Sequence, residues 1–130
     1  MPNPGKSFTI DTNQITEIEF AIPGATPGGV TAKLLNVDSN RGLVTTVIHI
    51  HPGARIPAHY HNDGAEAHYV LEGDFINDGV THGPGGFVTH PVGVIHGPHE
   101  SKTGCKILTI QAAFVDPQNP DFHLAEGIAS

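Results

Sequence analysis

The chain has a single cysteine, Cys105, and no tryptophan. One thiol cannot close an internal disulfide or build a thiolate metal cage, so any metal must be held by nitrogen and oxygen. Positive charge is also scarce. Six Lys and Arg stand against thirteen Asp and Glu, for a formal net charge of −7. That leaves no cationic footprint for a phosphate backbone, and nucleic acid is excluded as an expected partner. Charged residues make up only 15% and aromatics 6%, so neither a coiled coil nor a strongly charged disordered chain fits. No apolar run approaches the roughly 18 residues of a membrane span. The first residues, MPNPGKSFTI, lack the charged start and apolar stretch of a signal peptide. The expectation is a soluble, cytoplasmic protein with no membrane partner.

What the sequence does hold is glycine, proline and histidine: 16, 11 and 10 in 130 residues. The length favours one domain with one core. Short β-branched segments alternate with Gly, Pro, Asn and Asp clusters throughout, and no stretch keeps a helical period. Candidate strands run over Ile15 to Ala21, Val30 to Val37, Leu43 to His51, Ala58 to His61, Ala65 to Leu71, Asp74 to Asn77, Gly86 to His90, Val94 to His99 and Lys106 to Val115. Turn signals such as PGATPGG, DSNRG, PGARIP, NDG and HGPGG separate them. This pattern predicts an all-β, antiparallel jelly-roll β-barrel over about residues 15–115, with N- and C-terminal arms. Asp116 to Ser130 reads as a surface arm. Alternation sets Val44, Thr46, Ile48 and Ile50 against Thr45, Val47, His49 and His51. It also sets Cys105, Ile107, Thr109 and Gln111 against Lys106, Leu108, Ile110 and Ala112. Both faces are apolar enough that the inward one stays open.

The histidines are placed as well as plentiful. His59 and His61 are two residues apart, so on a strand they share a side. A turn at Asn62, Asp63 and Gly64 is expected to return the chain alongside, bringing Glu66 to the same pocket. His96 follows a Pro-Gly turn in a second stretch. Three imidazoles and a carboxylate form a donor set for a divalent transition metal.

These residues fall in two patterns. Gly53, His59, His61, Glu66 and Gly73 fit G-x5-H-x-H-x3,4-E-x6-G at every position. Gly85, Pro91, Gly93 and His96 fit G-x5-P-x-G-x2-H-x3-N, with Glu100 where Asn is usual. In both, the chain resembles the cupin superfamily, and the eleven residues between the motifs resemble those of its compact single-domain members. The resemblance implies a cupin-type jelly-roll barrel, a homodimer, and one metal at His59, His61, Glu66 and His96, with iron expected and Mn, Ni, Co, Zn or Cu as other options. The stretch AHYVLEG and the motif spacing are similar to cupin dioxygenases that cleave diketones and flavonols, so Glu66 and His68 become candidate catalytic groups. Some of those enzymes lack the carboxylate, and the match to them is partial.

The remaining candidates carry plainer readings. His68 shares the face of Glu66 and is either a proton carrier or a satisfied interior histidine. Glu100 shares parity with His96, but His99 and Glu100 read best as a solvated strand end. His49, His51, His82, His90 and His123 read as turn, surface or interface residues. Cys105 reads as core, Arg55 as surface beside the motif, and Tyr60 as facing away from the histidines on either side of it. Three functions follow: an Fe(II) dioxygenase acting with O2 on a small enolisable carbonyl or phenolic substrate, a redox-neutral isomerase, epimerase or lyase using Mn, Zn or Ni, and a non-catalytic metal- or ligand-binding sensor.

Overall fold

The structure is a computed structural model that describes residues 6–38, 43–112 and 121–125. Among these, a three-residue 3-10 turn (Thr12–Gln14) is the one helical element and the rest is strand and turn. No helix among them is long and apolar enough to cross a membrane. The strands are β1 (Ile18–Glu19), β2 (Val30–Asp38), β3 (Leu43–Ile50), β4 (Arg55–Ile56), β5 (His59–Tyr60), β6 (Glu66–Gly73), β7 (Phe75–Asn77), β8 (Val80–His82), β9 (Phe87–His90), β10 (His99–Glu100), β11 (Cys105–Ala112) and β12 (His123–Leu124).

Three antiparallel sheets form, with orders β1-β2-β3-β11-β6-β9, β4-β10-β7-β8 and β12-β5. The nonconsecutive neighbours β3-β11-β6 and β4-β10-β7 are the crossovers expected of a jelly roll. Val30, Ile48, Ile50, Val70, Cys105 and Ile107 from the large sheet pack with Ala54, Ile56 and Phe75 from the smaller one in a single apolar cluster. Each fully buried large side chain there contributes about 1.5–3 kcal/mol.

This packing settles which strand faces look inward. Val44, Thr46, Ile48 and Ile50 are buried on β3, and Cys105, Ile107 and Thr109 on β11. Register then sorts the interior into rows. Ile48, Ile107 and Val70 are paired across β3, β11 and β6, and the next row toward the site is Thr46, Thr109 and His68. One row further, Gln111 pairs with Glu66. The inward face therefore grades from apolar to polar along the strands, and the polar end is where the candidate site residues lie.

Two turns show why particular residues stand where they do. The β7–β8 hairpin closes on Asp78 and Gly79 with φ of 50° and 78°, the left-handed pair that a two-residue turn between twisted strands demands. Gly73 ends β6 at φ 81°, where a Cβ would fall on the carbonyl oxygen of Gly104. Only glycine fits there.

Several expectations need correction. Val94 to His99 is not a continuous strand: His96 makes an isolated bridge to His59, and only His99 and Glu100 form β10. Gly97 and Pro98 interrupt the run, and proline removes a ladder donor. The turn at Asn62 to Gly64 does not pair β5 with β6. β5 pairs with β12, while β6 lies between β11 and β9, so the chain changes sheets there. Arg55 and Ile56, read as part of a turn, pair with β10. Val80–His82 adds a strand that the sequence reading lacks. The predicted strand from Ile15 to Ala21 shrinks to Ile18–Glu19, which pair with Ala32 and Thr31 of β2. Residues 113–115 of the last predicted strand lie outside the described residues.

Candidate metal centre

His59 comes from β5, Glu66 from the start of β6, and His96 from the bridge opposite β5. His61 follows β5 directly. All four are buried, and one donor atom from each lies within 4.8 Å of the others. Reciprocal backbone hydrogen bonds between His59 and His96, at 2.9 and 2.8 Å, fix two of these residues against each other.

Each of the three imidazoles is tied at Nδ1 to a backbone carbonyl. His59 Nδ1 donates to Pro57 O at 2.7 Å, His61 Nδ1 to Asp121 O at 2.6 Å and His96 Nδ1 to Val94 O at 3.0 Å. A carbonyl only accepts, so the proton sits on Nδ1 and Nε2 is left as a bare lone pair. This is how imidazoles are oriented for a metal.

The Nε2 atoms of His61 and His96 and Oε1 of Glu66 are buried without a hydrogen-bond partner. An uncompensated buried group costs about 1–3 kcal/mol, which a cation among them would offset. His61 Nε2 lies 3.5 Å and His96 Nε2 3.4 Å from Glu66 Oε1. Donors about 2.1 Å from one ion are separated by about 3.0–3.4 Å. The residues fit a divalent transition metal bound through three nitrogens and an oxygen.

The electrostatics of these groups follow from burial and from the charges beside them. Burial pushes the Glu66 carboxyl up, but His68, His61 and His96 around it hold it well below the usual carboxylate range. Burial lowers His59 to about 3, so its ring is neutral at neutral pH. For His61 burial also acts downward, yet Glu66 and Asp121 outweigh it and the ring is raised.

His68 is buried on the face of Glu66, with Nδ1 2.8 Å from Thr109 Oγ1 and Nε2 2.9 Å from Glu66 Oε1. His99 corrects the expectation of a solvated strand end, being 2% exposed. The break at Gly97 and Pro98 cancels the parity counted from His96, which also removes the basis for pairing Glu100 with that residue. Glu100 is half-buried beside it. His90 is half-buried and stacks on His96 with ring centroids 4.2 Å apart, and burial with the neighbouring His96 lowers it to about 4. His49 and His51 stack on the outer face at 3.8 Å beside Glu17. His82 is half-buried near Phe75. Arg55 is half-buried on β4, and Cys105 lies in the core with its thiol pushed up to about 11 by burial.

The C-terminal arm holds the residues that the sequence reading missed. Residues 116–120 and 126–130 of that arm lie outside the described residues, but 121–125 pack on the site instead of lying free on the surface. Asp121 accepts from the Asn62 and Asp63 amides at 2.7 Å each, in addition to holding His61 through its carbonyl. Phe122 stacks on His59 at 4.2 Å, and His123 on Tyr60 at 5.1 Å. The only signal in the sequence was an aromatic flanked by Asp and His after a proline-rich stretch.

Solved structures share this fold. The polyketide cyclase RemF from Streptomyces resistomycificus matches with TM-score 0.73 and 22% identity over 96% of this chain and 88% of that one. A predicted oxalate decarboxylase from Thermotoga maritima matches at 0.71 and 20% over 82% and 99%. An acetylacetone dioxygenase from Acinetobacter johnsonii matches at 0.66 and 15% over 92% and 85%. At such identities the likeness is one of fold, a cupin jelly roll. No curated protein matches the chain significantly by sequence. The family model for the ChrR cupin-like domain matches residues 6–115, most of the sequence, and the chain belongs to that family.

Proposed function

We propose that this protein is a metal-dependent cupin enzyme, an Fe(II) dioxygenase that cleaves a carbon–carbon bond in a small enolisable carbonyl or phenolic substrate. The observation that carries the reading is the buried set of His59, His61, Glu66 and His96, its rings fixed with Nε2 free and its carboxylate ionised. The fold it shares with an acetylacetone dioxygenase supports the substrate class. When bound, the ion supplies Lewis acidity that favours the enolate of a β-dicarbonyl, together with one-electron chemistry toward dioxygen.

The chain's own residues supply the rest. Glu66, as carboxylate, can accept the proton lost from the substrate carbon, with the His68 ring packed beside it at 2.9 Å. Thr109 holds the His68 ring through Nδ1. Phe75 and Val70, both 0% exposed, close the inner end against water, and Phe122 covers His59. The test is oxygen uptake by iron-loaded protein with a panel of β-diketones, flavonols and hydroxyketones. Uptake matched by two carbonyl fragments is expected, and no uptake with stoichiometric iron would refute the reading.

A second reading is a redox-neutral lyase, cyclase or isomerase. It is favoured by the further imidazole of His68 beside Glu66, which can serve acid–base chemistry, and by the fold shared with a polyketide cyclase. Exchange of substrate carbon-bound hydrogen with solvent deuterium under anaerobic conditions distinguishes it.

A further inference from the structure

His68 from β6 and His99 from β10 belong to different sheets and meet beside Glu66. One donor atom each from Glu66, His68 and His99 lies within 4.8 Å of the others, and this trio shares only Glu66 with the four-donor cluster. All three are buried. Neither ring nitrogen of His99 has a hydrogen-bond partner, and His68 Nε2 has none either.

A neutral imidazole carries one N–H and one lone pair, and both groups of His99 are desolvated with nothing in exchange. Its surroundings are the rings of His59, Phe75, His68 and His96, with centroids 5.2 to 5.5 Å away. The 2.9 Å between His68 Nε2 and Glu66 Oε1 lacks hydrogen-bond alignment, but it is the spacing of two donors on neighbouring corners of one ion. A buried ring nitrogen facing a carboxylate without an aligned hydrogen bond, and an orphaned ring across from it, leave room for a cation between them.

We propose that Glu66 bridges two cation positions, and that Glu66, His68 and His99 hold a second divalent transition-metal ion beside the first. The proposal rests on the reading of His59, His61, Glu66 and His96 as the first position. Two divalent ions sharing one carboxylate repel each other, so the second is bound at least about tenfold more weakly than the first.

A separate trio on the outer face, Glu17, His49 and His51, also brings three donors together. Its groups already pair with one another and with Thr31, and the test must exclude it. Metal-free H51A protein is titrated with Co(II), followed by visible absorption and by metal analysis after gel filtration. Two ions per chain are expected in successive steps, with H51A/H99L retaining the first and losing the second. Saturation of H51A at one ion, or an undiminished second step in H51A/H99L, overturns the second position alone. Failure of H51A to bind any ion overturns the first position too. If H99L does not fold, anomalous diffraction from Co(II)-loaded H51A crystals decides: a peak within coordinating distance of His68 and His99 is expected, and its absence at saturating Co(II) overturns the proposal.

Discussion

Asp121 ties a C-terminal segment to the candidate metal centre sixty residues earlier, and its replacement by alanine should weaken ion binding without touching a ligand. The carboxylate accepts from the Asn62 and Asp63 amides at 2.7 Å each, while the main-chain oxygen accepts from His61 Nδ1 at 2.6 Å. Alanine keeps the carbonyl but frees the segment that carries it from the Asn62–Asp63 turn. Two charge-assisted bonds to an exposed turn are together worth about 2 kcal/mol, a fall in melting temperature of roughly 8 °C for a domain of this size. Loosening a group that orients a ligand costs about 10- to 100-fold in ion affinity. Burial acts to raise the Asp121 carboxyl, but the Asn62 and Asp63 amides hold it below its ordinary value. Its contribution is therefore complete above the unfolded value of about 3.9 and is lost as pH falls through the lower folded value. The melting difference between parent and Asp121→Ala should be present at neutral pH and shrink below about pH 3. Competition against a chelator measures affinity, and thermal melts of the metal-free proteins measure stability. Parent-like affinity in a variant that has lost the expected stability would refute the coupling of tail to ligand.

Other outcomes follow from the same packing. Gly73→Ala places a Cβ on the Gly104 carbonyl at a left-handed φ, so it should lose at least about 2 kcal/mol in chemical denaturation. Thr109→Val keeps the shape of the interior but strips His68 Nδ1 of its partner, an expected loss of about 1–3 kcal/mol, and a parent-like denaturation midpoint would contradict it. In metal-free protein, His59 and His90 titrate at about 3 and about 4 when folded, His59 because it is buried and half-buried His90 because partial burial and the neighbouring His96 push it down. The unfolded chain, with imidazoles near 6.5, binds more protons through that window, so these two residues make stability fall as pH drops from about 6.5 toward 4. Melting temperatures across that range check the sign, and His90→Phe should flatten the slope.

Much of the site could be read from local sequence because its geometry is local. Two-residue alternation alone brings His59 and His61 to one side, and the same rule places Glu66, His68 and Val70 together on β6. The turn glycines are equally readable, since a left-handed backbone beside a carbonyl excludes other residues. What escaped depends on contacts between distant segments. Which face of β3 or β11 looks inward is decided by the opposing sheet with Phe75 and Ile56, and both faces carry enough Val, Ile and Leu to hide the answer. His99 was misplaced because alternation was carried across Gly97 and Pro98, where the strand breaks. Asp121 and Phe122 gave almost no signal, because a carboxylate that caps a turn sixty residues away has no periodicity.

One buried point, where three imidazoles and a carboxylate converge, carries the metal reading. Anomalous diffraction at the metal absorption edge, on crystals of protein loaded with Fe(II) or Co(II), tests it most directly. A peak about 2.1 Å from Nε2 of His59, His61 and His96 and from a Glu66 carboxylate oxygen is expected, as is its loss in His96→Ala. A map with no peak among those four residues, or an ion held as tightly by His96→Ala as by the parent, would contradict it.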